Sequence, residues 1–258
     1  KNMFIHMPSG YSQIVPTKND FNYGFETEPE ETTNNRPLYW PRGRGWGGSS
    51  SINAMIYIRG HAHDYDLWRQ QGNEGWSYDD VLPYFKKAEN FHGDGDEEFH
   101  GYSGPLHVKK SDREDDLLLD KFIEAGEEAG FPLTRDFNGK EQEGFSRYEH
   151  TINDTPRGPR RWSSAQAYLH PALKRKNLFN ETNVTVDKLI FDGKKVKGIE
   201  YVNEKGVRTS CFVNREVILS AGALGSPQIL MRSGIGDSND ITKHGIEMVH
   251  ELKGVGKN

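Results

Sequence analysis

The densest chemistry in the chain lies in Arg42-Gly43-Arg44-Gly45-Trp46-Gly47-Gly48-Ser49-Ser50-Ser51-Ile52-Asn53. Gly43, Gly45, Gly47 and Gly48 let the backbone pass very close to a bulky group. The serines that follow add hydroxyl donors, and successive backbone N–H groups can form an anion-binding concavity. Arg42 and Arg44 carry the positive charge that a diphosphate needs. Asn53 has an amide that donates and accepts, as the edge of a heteroaromatic ring requires. Two plainer accounts fit the same residues. One is a turn-forming glycine patch; the other is a short arginine-glycine segment with Trp46 stacking on nucleic-acid bases.

A second stretch runs from Glu216 to Gly236. Glu216-Val217-Ile218-Leu219 predicts a short strand buried on both faces. It ends in Ser220-Ala221-Gly222, and small residues at the end of such a strand let a cofactor lie against backbone. Ser226 predicts a helix N-cap, Pro227 the first helical position and Gly234 the left-handed turn that ends the helix. An ordinary strand–loop–helix connection also fits.

The remaining polar clusters predict less. His61-Ala62-His63-Asp64 offers ligand types without a third and fourth ligand at usable spacing, so a loop or helix cap is expected and no metal. Asp94, Asp96, Glu97 and Glu98 lack calcium-loop spacing. Asp112 to Asp116 reads as an exposed helix start, and Arg157, Arg160 and Arg161 as a solvated basic cluster. Trp40, Trp46, Trp68, Trp76 and Trp162 read as packing residues, although aromatic faces can also cage a quaternary ammonium. The sequons at Asn153, Asn180 and Asn183 read as chance. Cys211 is the sole cysteine, so no internal disulfide forms, and it reads as a small strand residue.

Elements must position these segments. Helices are expected over 64–71, from a cap at Ser77 through Ala88, over 115–129 with Gly130 as the stop, and over 163–174 with a break at Pro171. Residues 1–41, 91–104 and 131–160 read as extended segments and loops, and 52–58 as a helix turn or a strand. From Asn183 the apolar period becomes two. That predicts a meander of three strands turning at Asp192-Gly193 and Lys205-Gly206.

Composition sets the outer bounds. The 258 residues suffice for a sizeable core. With 33 Lys+Arg against 38 Asp+Glu, the formal charge of −5 excludes a generally basic nucleic-acid binder. No apolar run is long enough to span a bilayer as a helix.

Taken together, Arg42–Asn53 resembles the first signature of the glucose-methanol-choline (GMC) oxidoreductases, and Gly222–Gly236 resembles the second, in matching order and separation. Tyr39-Trp40-Pro41, Arg59-Gly60-His61, Leu82-Pro83-Tyr84-Phe85, Arg161-Trp162-Ser163 and Tyr168-Leu169-His170-Pro171 are similar to the choline-oxidising subgroup. The resemblance implies a fold that is α/β and α+β: part of an FAD-binding Rossmann-like domain interleaved with part of an antiparallel-sheet substrate domain. Residues 1–63 and 176–258 would belong to the FAD-binding domain, and 64–175 mostly to the substrate domain with covering helices. The implied activity is oxidation of a primary alcohol, foremost choline to betaine aldehyde, by hydride transfer to flavin. Another GMC alcohol or sugar dehydrogenase, or a truncated non-catalytic product, are the alternatives.

The resemblance also implies site residues. Arg42, Gly47, Gly48 and Ser49 would approach the FAD diphosphate and flavin, and Asn53, Ala54, Met55 and Ile56 would run beside the isoalloxazine ring. Val186 would meet adenine through its backbone, and Ala221 and Gly222 would lie by the ribose-diphosphate. Relatives that attach FAD covalently use a His where this chain has Ile52, so non-covalent FAD is expected. The chain reads as an internal piece: the family's Gly-x-Gly-x-x-Gly fingerprint would precede Lys1 and its catalytic His would follow Asn258. No catalytic residue is therefore expected within it, nor activity from this piece alone. The implied partners are a small-molecule alcohol and an unspecified electron acceptor, with peripheral membrane association of the full-length protein. The implied compartment is the mitochondrion.

Overall fold

The computed structural model describes residues 2–110 and 116–257. The chain divides into two compact units, Lys1–Leu178 and Phe179–Asn258. The first carries helices α1 (Ala62–Gln70), α2 (Tyr78–Ala88) and α3 (Leu117–Glu128). Its main strands are β1 (Ile56–Tyr57), β2 (Glu89–His92), β3 (Leu106–Lys110), β4 (Glu149–His150), β5 (Ile152–Thr155) and β6 (Gly158–Arg161).

Local chemistry explains the helix starts. His61 caps α1: its Nδ1 accepts the His63 N–H at 3.2 Å, while Asp64 accepts the His61 N–H at 3.1 Å. The His61 imidazole thus serves a helix end, and no metal-ligand cluster occurs among the described residues. Ser77 and Asp80 form the same reciprocal box at α2, which carries Pro83 within it. Asp116 caps α3, accepting the Leu119 N–H at 3.2 Å, and Gly130 ends it at φ +87°. The rest of the acidic start, Asp112 to Asp115, lies outside the described residues. Aromatic edges fasten α1 to its neighbours, with Tyr65 against Phe85 at 5.7 Å and Trp68 against Trp76 at 5.6 Å.

The sheet of this unit runs in the order β1-β4-β3-β2. It is antiparallel except where β2 and β3 run parallel. Its interior is polar. Arg59 Nη2 donates to Glu89 Oε2 at 2.8 Å, and the same oxygen lies 3.1 Å from His100 Nδ1. His100 Nε2 reaches Asp136 Oδ2 at 2.6 Å. Asn138 ties this group to the sheet by donating to Glu149 Oε2 and accepting the Arg59 N–H. Five of these side chains, Arg59, Glu89, His100, Asn138 and Glu149, are buried, so their polar groups must find partners internally.

Four expectations about elements of this unit are corrected. Residues 1–41, expected as extended segments and loops, include short helices at Met3–His6 and Tyr11–Ile14. The stretch 131–160 holds β4, β5 and β6, which are short, polar and carry no alternating pattern. Phe91 and His92, expected in a loop, end strand β2. Residues 163–174 form no plain helix: Ala165–Leu169 is a wide π turn, followed by His170–Ala172.

The second unit holds the meander in the expected place: β7 (Val184–Asp192), β8 (Lys195–Asn203) and β9 (Arg208–Phe212), all antiparallel. Helix α4 (Gly222–Arg232) follows, then the parallel pair β10 (Ile235–Gly236) and β11 (His250–Glu251). Glu216–Leu219 is not a strand. No ladder among the described residues receives it, and Ile218 is 81% exposed. An apolar strand buried on both faces needs paired neighbours, and here it has none. Helix α4 also begins earlier than expected. Ala221 is its N-cap and Pro227 lies inside it. Ser226 reaches back from the helix, its Oγ accepting the Ala221 N–H at 2.9 Å. The fold is thus a mixture of helix with mixed and antiparallel sheets, in keeping with the expected class.

Candidate functional site

The Gly/Ser segment folds into a compact, internally strapped loop. Gly47 takes φ +85° and Gly48 φ +52°, which open a single 3-10 turn over Gly48–Ser51. Side chains of any size but hydrogen are disfavoured at such angles. Gly43 packs edge-on to this turn: its N–H donates to Ser49 Oγ at 3.1 Å, and a Cβ on it would sit 2.2 Å from Gly48 O. Ser50 Oγ donates to Gly47 O at 2.5 Å, and Ser51 Oγ to Trp46 O at 2.7 Å. The hydroxyls of Ser50 and Ser51 therefore hold the loop, and Ser49 is exposed.

Arg42 folds back on its own segment. Its Nη1 donates to Pro41 O at 2.8 Å, and its guanidinium lies 5.1 Å from the centre of the Trp40 ring. A Cβ at Gly48 would meet nothing within 4 Å. The loop is thus closed on the Gly43 side and open at Gly48.

The next residues are held as firmly. Asn53 Oδ1 accepts the Met55 N–H at 3.0 Å, which fixes Met55 at φ +65°, an uncommon angle for a side-chain-bearing residue. The Met55 carbonyl accepts the Thr151 N–H at 2.8 Å, which leads the chain into β1. Met55 is buried, while Asn53, Ala54 and Ile56 are exposed. Ile52 is buried at 3% exposure.

The residues behind this segment carry no signal of their own in the pattern of the sequence. Ser164 N–H donates to Ser50 Oγ at 3.0 Å, and the two hydroxyls are 2.9 Å apart. Arg161, at the end of β6, is 2% exposed. Its Nη1 donates to Asn53 O at 2.7 Å and to Asn53 Oδ1 at 2.8 Å, and its Nε to Ile5 O at 2.9 Å. Burial holds its guanidinium below the usual range, at about 10. Arg161 is therefore no member of a solvated cluster, although Arg157 is exposed. Adjacent arginines in sequence gave no sign that only one turns inward.

In the second unit, Val186 lies on β7 opposite Tyr201, next to a register shift. Asp187 falls at that shift, between the pairs Val186–Tyr201 and Lys188–Glu200. Its carbonyl accepts the Arg232 Nε–H at 3.1 Å, and its carboxylate binds Arg232 and Arg208. Hydrogen bonds from these two arginines hold the Asp187 carboxyl low, at about 2. Ser233 Oγ accepts the Leu189 N–H at 2.8 Å, completing the attachment of α4 to β7. Gly222 takes φ +84°, and a Cβ there would meet nothing within 4 Å.

Gly48 and Gly222, each within its own unit, begin a helical turn and leave open the space where a side chain would stand. Residues 24–258 match the model of the GMC oxidoreductases. The chain belongs to this family. It is 46% identical over 255 residues to the mitochondrial choline dehydrogenase of Mus musculus, covering 98% of this chain and 41% of that protein. It is 46% identical over 254 residues to the oxygen-dependent choline dehydrogenase of Brucella anthropi, covering 98% of this chain and 45% of that one. Among solved structures, pyridoxine 4-oxidase from Mesorbium loti superposes with a TM-score of 0.87 at 33% identity, over 98% of this chain and 48% of that chain. This GMC chain thus spans less than half the length of the relatives it matches.

Proposed function

We propose that this GMC chain supplies FAD-contacting segments of a dehydrogenase that oxidises a primary alcohol, choline foremost, to the aldehyde. The observation that carries the reading is the strapped Gly43–Ile56 segment, open at Gly48, in a chain 46% identical to choline dehydrogenases. The residues fit FAD. Arg42, Gly47, Gly48 and Ser49 offer backbone, a hydroxyl and positive charge to a diphosphate. Asn53, Ala54, Met55 and Ile56 offer a rigid edge to a flat ring, Met55 by its backbone since its side chain is buried. Val186 at the β7 irregularity is assigned to adenine, and Ala221 and Gly222 at the start of α4 to the ribose-diphosphate. Bound FAD would supply the hydride acceptor for alcohol oxidation. The chain's own part is to bind and orient it. The two strapped units fix backbone donors in place before the cofactor arrives, which lowers the ordering cost of binding.

Attachment is assigned as non-covalent. Ile52 cannot form a bond to flavin, and its side chain is buried. The mammalian relatives are named as mitochondrial, which supports that compartment for this enzyme. No helix among the described residues is long and apolar enough to cross a membrane.

The test is an absorbance spectrum of the purified full-length protein, followed by acid precipitation and anaerobic addition of choline. A flavin spectrum, released entirely into the acid supernatant and bleached by choline, is the expected result. A colourless protein refutes the cofactor; flavin retained in the precipitate refutes non-covalent binding; no bleaching by choline refutes that substrate.

A further inference from the structure

Arg161 is a buried charge without a counter-charge. No carboxylate among the described residues pairs with it, and its Nη2 is buried without a hydrogen-bond partner. All its partners are neutral oxygens: Asn53 O, Asn53 Oδ1, Ser50 O at 3.3 Å and Ile5 O. A buried guanidinium in neutral surroundings costs several kcal/mol in general terms, so proteins keep one only where it is otherwise compensated or used. The three acceptors on Ser50 and Asn53 belong to the segment assigned above to the flavin. Asn53 relays the charge, because its Oδ1 takes a bond from Arg161 while the residue itself is exposed. An amide whose oxygen is bound to a cation donates more strongly through its nitrogen.

We infer that Arg161 is a positioning residue that tunes the flavin: acting through Asn53, its uncompensated positive charge stabilises the two-electron reduced cofactor and raises its reduction potential. This rests on the FAD reading given above. Reduction adds negative charge to the ring system, and a fixed positive charge in a low-dielectric setting favours the more negative state. A solvated arginine would do little, since water screens it; burial is what gives this one reach. A purely structural Arg161 would hold the loop through its four acceptors and leave the potential alone.

The experiment compares the full-length holoenzyme with Arg161→Gln and Arg161→Lys, measuring flavin content, melting temperature and the two-electron potential against a reference dye. Arg161→Gln should lower the equilibrium constant for reduction at least tenfold, about 30 mV for a two-electron couple. Arg161→Lys should stay within about threefold near neutral pH, because a charge is kept. Both variants should melt lower than the wild type. An unchanged potential in Arg161→Gln at full flavin content overturns the inference, as does an equal shift in both variants. Should Arg161→Gln fail to hold flavin, Arg161→Lys titrated upward in pH decides. A buried lysine loses its proton within reach, so its potential should fall below the wild-type profile by at least tenfold in the constant. Parallel profiles overturn the inference. A wild-type protein without flavin overturns both this inference and the function on which it rests.

Discussion

Glu89 and His100 face each other at 3.1 Å with both side chains fully buried. Burial pushes the His100 imidazole down, but hydrogen bonds from its two nitrogens to Asp136 and Glu89 outweigh it and raise it to about 9. The histidine is thus a cation joining two carboxylates beside the four-stranded sheet. Its folded pKa lies above the unfolded value of about 6.5. The stabilisation is therefore complete below about pH 6.5 and fades as pH rises through about 9. Thermal melts from pH 6 to 10 should show a falling melting temperature across that window. His100→Ala should flatten this part of the profile and cost on the order of 3 kcal/mol, because Glu89 and Asp136 lose their shared partner. A variant whose profile keeps the wild-type slope would dissociate His100 from the effect.

Gly43 and Gly48 should respond oppositely to alanine. At Gly43 the added methyl meets the Gly48 carbonyl at 2.2 Å, so the loop must open. At Gly48 it meets nothing, and the cost is that of φ +52°, roughly 1 kcal/mol. Gly48→Ala should therefore keep its melting temperature within a few degrees while flavin retention drops tenfold or more. Gly43→Ala should lose both together. Equal flavin retention in Gly48→Ala and wild type would remove Gly48 from the cofactor contact.

Ser233 holds α4 to β7 by accepting the Leu189 N–H and donating to Ile229 O at 2.5 Å. Ser233→Ala strands a part-buried peptide N–H and should cost about 1–2 kcal/mol, measured by urea unfolding. If Val186 and Gly222 serve one cofactor, the same variant should release FAD faster, which stopped dilution followed by flavin fluorescence would show.

The irregular segment 216–219 exposes Ile218, with no ladder among the described residues to receive it. Expressed as these 258 residues alone, the polypeptide should self-associate through that stretch. Ile218→Lys should reduce light scattering at a given concentration several-fold. Scattering unchanged by the lysine would place the association elsewhere, for example at Leu117 and Leu118, which are 70% and 83% exposed.

Much of this was legible from residue order. The caps at Ser77 and the stop at Gly130 depend on neighbours within a turn, so local pattern sufficed for α2 and the end of α3. The meander showed itself because Val184 to Phe212 alternates about tight turns. What stayed hidden depends on distant partners. Short polar strands such as β5 and β6 exist through each other, as a two-stranded ladder. The Val217–Leu219 run has the composition of a buried strand, yet a strand is a relationship between segments and not a property of one. At the site, glycines and serines pointed to the loop itself. Arg161 and Ser164 could not be found this way, because nothing in their neighbourhood distinguishes an inward arginine or a strapping serine from a solvated one.

The bond between Ser50 and Ser164 joins residues 114 positions apart. Its consequence is temporal. At ~5–20 residues per second of synthesis, the ribosome has finished the glycine loop several seconds before its buttress exists. Closing so long a loop costs chain entropy that local contacts cannot repay early. During that interval the loop has only the straps within its own segment. The glycine loop is therefore buttressed late, and the vulnerable stage of biogenesis is the wait for residues 161–164 to arrive.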